Sequence, residues 1–235
     1  MTAHSPDSTL LPPAPPATAD AMKACLASFP KLAPRALQAG RMAEELGLGE
    51  DAVLAAMIYP LMEADVLPPS WSTPPHPALP WGLLKGLNRL RIMDELAPSR
   101  ATADPDAQLE RLRKMLLAMV EDARVVVIKL CYRLHTLESA KNLSAEEQRQ
   151  LAQQTLDLFA PLANRLGIWQ IKWQLEDWSL RYLHPDAYHK IARWLDERRT
   201  DRERYIQETI RAMQEDLDKH HIHAAVTGRP KHLYS

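Results

Sequence analysis

Apolar residues recur along most of this chain at intervals of three and four positions, which is the spacing of an amphipathic α-helix. The pattern starts near Thr18 and continues to Lys219, with prolines and glycines at the connections. Thr18 can cap the first helix, and Ser144 with Glu147 forms a capping box before a later one. The sequence therefore predicts an all-α protein built from many helices.

One strongly apolar helical run extends from Asp51 to Asp65. Asp51 is predicted to cap this helix. Tyr59 and Glu63 lie four positions apart and therefore share one helical face. Pro60 lies inside the run, where a proline removes a backbone donor and costs about 3 kcal/mol in a regular helix. We therefore expect a kink or a restart at this point.

Further helices are predicted at 34–45, 81–96, 107–119, 123–140, 145–159 and 161–183, followed by one long charged helix at 186–219. In the second helix of the chain, Leu37, Met42 and Leu46 are expected to face inward. Six prolines between residues 67 and 80 predict a loop there. Only Ile222–Val226 has the pattern of a strand.

The composition is that of an ordinary globular protein, with 235 residues, 46% hydrophobic residues and 25% charged residues. A net charge of -1 gives no reason to expect DNA as a partner. Cys25 and Cys131 lie far apart and predict no disulfide framework. Because the sequence has neither a secretory segment nor a long apolar run, we expect a cytoplasmic protein without a membrane partner. The proline-rich residues 1–17 predict a disordered leader.

Four motifs follow one another along the chain: Ala-Ala-Met-Ile-Tyr-Pro-Leu-Met-Glu at 55–63, Lys-Leu-Cys-Tyr-Arg-Leu-His at 129–135, Ala-Pro-Leu-Ala-Asn-Arg-Leu-Gly at 160–167 and Gly-Arg-Pro-Lys-His-Leu-Tyr-Ser at 228–235. In the same order, they resemble motifs of the RelA/SpoT-type alarmone (ppGpp) synthetase/hydrolase family. The overall pattern is most similar to the RelA branch, whose hydrolase domain is inactive.

The resemblance implies a domain organisation in three parts after the leader. Residues 18–184 would form a degenerate, multi-helix domain of the HD-hydrolase type, and residues 185–221 a linker helix. Residues 222–235 would be the first segment, with a short β start, of a truncated synthetase domain.

In active relatives the hydrolase domain holds Mn²⁺ through a first His, a His-Asp pair and a later Asp. The corresponding positions of this sequence are Arg35, Tyr59, Pro60 and Tyr132. None of these residues is a plausible Mn²⁺ ligand, so the resemblance implies no metal, no cofactor and no catalytic residue in this domain. The family's catalytic Glu-Asp pair is Glu63 and Ala64 here, and the Asn that follows the last motif is Thr136.

By this resemblance the chain is the inactive, regulatory domain of a GTP pyrophosphokinase of the stringent response, and is not itself an enzyme. The parent enzyme would transfer pyrophosphate from ATP to GDP or GTP. The partner would be the synthetase domain in cis, reached through residues 169–204, while ribosome contact would belong to family regions not found in this sequence. Nucleotide contacts in a complete synthetase would come from Gly228, Arg229, Lys231 and Ser235.

Two other functions stay open on the sequence alone. One is a metal-dependent (p)ppGpp 3′-pyrophosphohydrolase with altered ligands, using Glu63 and His135. The other is a module that binds guanine nucleotides without chemistry.

Two groups of side chains allow both a functional and a structural interpretation. The indoles of Trp169, Trp173 and Trp178 could stack on RNA bases, but their spacing near one helical face favours packing in the core or between domains. His220, His221 and His223 could bind a metal, but are more typical of a solvated helix end.

Overall fold

The computed structural model describes residues 15, 18–67, 69–72, 76–91, 107, 109–111, 114–115, 121–197 and 199–228. The helices in this part of the chain are α1 (Ala19–Leu26), α2 (Ala33–Glu45), α3 (Glu50–Glu63), α4 (Pro69–Ser72), α5 (Trp81–Arg89), α6 (Ala123–Ser139), α7 (Ala145–Gln154), α8 (Ala160–Arg165), α9 (Trp169–Leu183), α10 (Pro185–Glu197) and α11 (Arg199–Lys219). A 3₁₀ turn at Ala140–Asn142 follows α6, and a π-helical turn at Thr155–Phe159 joins α7 to α8. The described residues contain no strand, so the all-α prediction is confirmed for them. None of these helices has both the length and the apolar character needed to cross a membrane.

Two helices form the centre of the fold. Every residue from 52 to 61 in α3 is buried, and so is every residue from 125 to 134 in α6. A helix that is buried on all sides must be enclosed by others. Here α2 and α5 pack against both central helices, α1 packs on α3, and α7 and α9 pack on α6.

Helix α2 faces the centre with small residues, which the hydrophobic pattern did not identify. Its buried residues are Ala36, Ala39, Gly40 and Ala43. The residues predicted to face inward, Leu37, Met42 and Leu46, are only partly buried at the edge of this contact. A Cβ atom on Gly40 would lie 2.7 Å from Cγ of Met57. Small residues are needed because the backbones of α2 and α3 approach closely.

Most of the helix caps predicted from the sequence are present in the structure. The hydroxyl of Thr18 accepts a hydrogen bond from the first turn of α1, and Ser144 with Glu147 forms the predicted capping box. The prediction for Asp51 was wrong, because the N-cap of α3 is Gly49 and Asp51 lies in the first turn. Gly49 has φ of +87°, a conformation that is open to glycine and unfavourable for aspartate.

Two other predictions need correction, and a third is narrowed. Helix α3 continues through Pro60 without a restart, so of the two outcomes expected there only a kink is left. The short helix α4 lies inside the predicted proline loop and buries Trp71 completely. The charged helix predicted at 186–219 corresponds to α10 and α11, which meet at residue 198, outside the described residues. Residues 222–228 are neither helix nor strand, because a strand requires a partner strand and the described part of the chain supplies none.

Several predictions concern residues outside the described ranges. These are the leader except residue 15, residues 92–96 of the helix predicted at 81–96, most of the helix predicted at 107–119, and the motif residues 229–235. Within the described residues, the helix predicted to residue 96 already ends at Arg89. The residues of 107–115 that are described are helical.

Candidate functional site

The four positions that the motifs selected as former ligand positions lie together between α2, α3 and α6. Arg35 is in the first turn of α2, Tyr59 and Pro60 are near the end of α3, and Tyr132 is in the middle of α6. The guanidinium carbon of Arg35 lies 4.7 Å from the centroid of the Tyr132 ring. The rings of Tyr59 and Tyr132 have their centroids 5.5 Å apart and are 0% and 1% exposed. Residues that are far apart in sequence therefore form one cluster.

The charge in this cluster is carried by an ion pair. Nη1 of Arg35 donates a hydrogen bond to Oε2 of Glu63. Both side chains are largely buried, with exposed fractions of 28% for Arg35 and 22% for Glu63. The carboxylate that Glu63 would need for proton transfer or metal binding is thus occupied by a permanent cation.

Pro60 and Tyr132 are connected through a backbone carbonyl. Proline has no N–H, so Pro60 cannot donate the helical hydrogen bond to the carbonyl of Ala56, four residues earlier. The hydroxyl of Tyr132 donates a hydrogen bond to this same carbonyl. The phenol from α6 therefore takes the place of the missing donor in α3, and the helix continues.

The cluster does not fit Mn²⁺. A guanidinium offers only N–H donors, proline has no side-chain ligand atom, and a phenol coordinates well only after it loses its proton. Burial raises the pKa of Tyr132 well above its usual range, so its hydroxyl stays protonated. Among the described residues, no group of three or more His, Cys, Asp or Glu side chains is arranged to hold a metal. His220, His221 and His223, for which metal binding was the less favoured interpretation, do not form such a group either.

A second layer of polar contacts lies beside the cluster. Nδ1 of His135 contacts Oε1 of Gln38, and Nε2 of Gln38 donates to Oε2 of Glu138. Burial, and then the charge of Arg35, lower the pKa of His135, so the imidazole is neutral and its Nδ1–H donates to Gln38. These contacts give His135 a structural role. The sequence reasoning missed Gln38 and Glu138, although each lies three residues after a residue that it had selected and so shares its helical face.

The other predicted site residues make simpler contacts. Ala64 is the C-cap of α3. Oγ1 of Thr136 donates to the carbonyl of Tyr132 at 2.9 Å, within α6. Gly228 lies against α11 and not against the cluster, from which it is also distant in sequence. Arg229, Lys231 and Ser235, which the motif assigns to a nucleotide site, are outside the described residues.

The three tryptophans of α9 do not behave alike. Trp169 is 46% exposed and its ring stacks on that of Trp173, with centroids 6.0 Å apart and an interplanar angle of 8°. Trp178 packs against the core and stacks on Tyr182. Packing in the core therefore describes Trp178 and does not describe Trp169.

An open cleft of about 440 Å³ lies beside the Gln38–Glu138 contact, between α2, α6 and α9. Its polar and charged lining consists of Gln38, Arg41, Glu45, Glu138 and Gln174. With two carboxylates and one guanidinium, the lining offers little attraction to the phosphates of a nucleotide.

Comparison with known proteins places this geometry in a family. An HD-domain family model matches residues 27–169, which include α2, α3, α6 and the whole cluster. Two proteins named GTP pyrophosphokinase, from Photobacterium angustum and Escherichia coli, are 39% and 38% identical to this chain over 190 residues. These residues are 81% of this chain and 26% of each relative. The chain belongs to the RelA/SpoT family.

A third relative is named for hydrolysis and not for synthesis. The probable guanosine-3′,5′-bis(diphosphate) 3′-pyrophosphohydrolase of Synechocystis is 46% identical over 142 residues, which are 60% of this chain and 19% of that protein. The chain spans about a quarter of the length of the GTP pyrophosphokinases that it matches. The HD domain of this RelA/SpoT-family chain is thus similar to proteins named for synthesis and to one named for hydrolysis, and only its own residues can distinguish the two.

Proposed function

We propose that this chain is a hydrolase-like HD domain without hydrolase activity, which regulates a (p)ppGpp synthetase. The observation that carries the proposal is the ion pair of Arg35 and Glu63, stacked on Tyr132, at the positions where active relatives would hold Mn²⁺. A permanent cation repels a metal ion and also occupies the remaining carboxylate.

The chemistry of the expected reaction supports inactivity. Release of the 3′-pyrophosphate needs a strong nucleophile at neutral pH, which a bound metal supplies by lowering the pKa of water. The cluster contains no ligand set for such an ion. Glu63 alone is a poor substitute, because Oε2 of its carboxylate already accepts a hydrogen bond from Arg35 and is not free to accept a proton from an attacking water.

A regulatory role is supported by the contrast between the retained scaffold and the altered site. The central helices α3 and α6 are buried, and the altered positions are tied into them by the ion pair of Arg35 with Glu63 and the hydrogen bond from Tyr132 to the carbonyl of Ala56. In the proposed parent protein, residues 222–235 begin a synthetase that transfers pyrophosphate from ATP to GDP or GTP. The exposed Trp169 on α9 offers an apolar contact for a neighbouring domain in cis.

The direct test is an assay of the purified chain with ppGpp and Mn²⁺. Pyrophosphate release and metal content are measured on one sample, with the Synechocystis relative as the positive control. We expect no release above the blank, substoichiometric metal, and a melting temperature that is unchanged by a chelator.

Two results would decide against this proposal. Turnover that is lost in Glu63→Gln, with metal bound in proportion to protein, would establish an altered hydrolase. Saturable heat on titration with ppGpp without turnover would instead support a binding module. In a parent protein that includes the synthetase, unchanged regulation after Trp169→Ala and Trp173→Ala, with folding intact, would exclude the route through α9.

A further inference from the structure

Helix α11 ends in a reversal of the chain that uses a residue other than glycine. His221 has φ of +54°, in the left-handed region. The N–H of His221 donates to the carbonyl of Asp218 at 3.1 Å, and the N–H of Ile222 donates to that of Leu217 at 2.9 Å. These two bonds are those of a Schellman motif, which ends a helix and turns the chain away from its axis.

After this reversal the chain runs back along α11. The N–H of Val226 donates to Oε1 of Gln214 at 3.3 Å, and Gly228 lies against Ile206 and Ile210. As residue numbers rise in this segment, the numbers of the contacted helix residues fall, so the two run antiparallel. We call residues 222–228 the strap.

The strap approaches α11 so closely at Gly228 that a side chain there would crowd two isoleucines of the helix. A Cβ atom there would lie 3.0 Å from Cγ2 of Ile206, and 3.2 Å and 3.3 Å from Cδ1 and Cγ1 of Ile210. At these distances both isoleucines would have to shift by a few tenths of an ångström. β-Branched residues in a helix have little χ1 freedom, which makes such a shift unfavourable and favours glycine at 228.

The strap has few other attachments. Only Val226 is partly buried, while the other residues of the strap are exposed. Ile222 donates the hydrogen bond that ends the helix. The other described hydrogen bond from the strap to the helix is the one that Val226 donates. A segment with so little buried surface is marginally held, so one close contact can decide whether it stays on the helix.

We propose that Gly228 is a positioning residue, whose contact with Ile206 and Ile210 holds the strap on α11 and so fixes where the chain leaves this helix. The motif assigned Gly228 to nucleotide contact, whereas the geometry gives it a packing role. The significance for catalysis rests on the proposed function, in which residues 222–235 begin the synthetase. A change in α11 would then be passed directly to that domain.

The test is hydrogen exchange of the Val226 amide in the whole 235-residue chain. Gly228→Ala should speed this exchange about tenfold, corresponding to roughly 1.4 kcal/mol of lost protection. The Ile222 amide, held by the helix-ending bond, is an internal control and should not change. Thr227→Ala, an exposed neighbour, is the matched control variant.

A second variant tests the cause. Ile206→Leu removes the Cγ2 methyl, which is the nearest of the three atoms that the new Cβ would meet, while the two atoms of Ile210 remain. Gly228→Ala combined with Ile206→Leu should therefore partly restore slow exchange of Val226. Unchanged exchange in Gly228→Ala, or no rescue in the double variant, would overturn the proposal. Because the assay uses no nucleotide and no metal, its outcome is independent of whether the domain hydrolyses ppGpp.

Discussion

The hydroxyl of Tyr132 donates its hydrogen bond to the carbonyl that Pro60 leaves without a helical donor. Under the proposed function, these are two of the positions at which active relatives would have metal ligands. A proline in the middle of a buried helix would otherwise leave a polar group unpaired in the core, which costs about 1–3 kcal/mol. The hydrogen bond from Tyr132 therefore offsets the cost of Pro60 and is part of the packing between α3 and α6.

The first prediction follows from this dependence. Tyr132→Phe should lower the free energy of unfolding by about 1–3 kcal/mol, because the Ala56 carbonyl loses its donor. In a Pro60→Ala background the N–H of residue 60 returns, so the same substitution should cost less than about 1 kcal/mol. Urea unfolding of the four proteins of this cycle measures the difference.

A matched control exists in α9. The hydroxyl of Tyr182 donates to the carbonyl of Leu137 at 2.8 Å, also a phenol on a helix carbonyl, but the residue four positions after Leu137 is Lys141 and not a proline. Tyr182→Phe should cost the same in both backgrounds. If Tyr132→Phe also had an equal cost with and without Pro60, the two residues would be independent.

The second prediction concerns the ion pair. Arg35→Met keeps much of the side-chain volume but leaves Glu63 without its counter-charge and Tyr132 without a stacked cation. Because both charged side chains are partly exposed, we expect a loss of about 1–3 kcal/mol, below the value for a fully buried pair. Glu63→Gln should recover part of this loss in the double variant. Arg41→Met, exposed on the same helix, should change stability by less than about 0.5 kcal/mol, and an equal effect of the two substitutions would contradict the assignment.

Local signals in the sequence predicted much of this fold. The caps at Thr18 and Ser144 depend on residues three positions away, so they can be read from the sequence. The small-residue face of α2 could not be predicted from hydrophobic spacing, because alanine and glycine contribute little to that pattern. The strand at 222–226 was predicted from the residue pattern and from the resemblance to the start of a synthetase domain, and neither says whether a partner strand is present.

The sequence predicted which residues form the site but not how they contact one another. The motifs identified Arg35, Tyr59, Pro60 and Tyr132, and the structure brings them together. Their contacts could not be predicted, because the partners in the Arg35–Glu63 pair are 28 positions apart and those in the Tyr132–Ala56 hydrogen bond are 76 apart. A long-range pair has no local signature, and the second of these uses a backbone atom that no residue type reveals.

The third prediction uses two glycines of α5 as a matched pair. A Cβ atom on Gly86 would lie 2.8 Å from Cγ2 and 3.2 Å from Cγ1 of Val125, whereas one on Gly82 would meet nothing within 4 Å. Gly82→Ala should therefore stabilise the protein by up to about 1 kcal/mol through helix propensity. Gly86→Ala should destabilise it by about 1–3 kcal/mol through overpacking, since valine in a helix is rigid. Thermal unfolding of both variants measures the difference. If both melting temperatures shifted in the same direction, α5 and α6 would not be packed this closely.

The fourth prediction is a dependence of stability on pH through His135. Burial and the nearby Arg35 lower its pKa below 6.5, and outweigh Glu138, which raises it. The imidazole of His135 therefore binds a proton more readily in the unfolded chain than in the folded one. Its contribution to the free energy of unfolding is complete above about pH 6.5 and is lost as the pH falls through the pKa of the folded state.

The measurement compares the chain with His135→Gln in urea at several pH values. The stability advantage of the original chain over this variant should be constant above about pH 7 and shrink steadily towards pH 5. A difference that does not vary over this range would mean that His135 has the same pKa in the folded and unfolded chain.

The last prediction concerns Arg133, which fixes the π-helical turn at Thr155–Phe159. Its Nε donates to Oγ1 of Thr155 at 2.8 Å, its Nη2 donates to the carbonyl of Leu151 at 2.7 Å, and its guanidinium lies 4.4 Å from the centroid of the Phe159 ring. Lysine keeps the charge but cannot reproduce this planar set of contacts.

Arg133→Lys should therefore lower the free energy of unfolding by about 1.5–3 kcal/mol and speed amide exchange in residues 155–159. Arg149→Lys, on the exposed side of α7, is the control and should change neither quantity by a measurable amount. Because α8 begins where the π turn ends, loosening this turn should also reach α9, which packs on α8. Exchange in 155–159 that stays slow in Arg133→Lys would mean that the turn is held by its own backbone bonds and that Arg133 is only packed beside it.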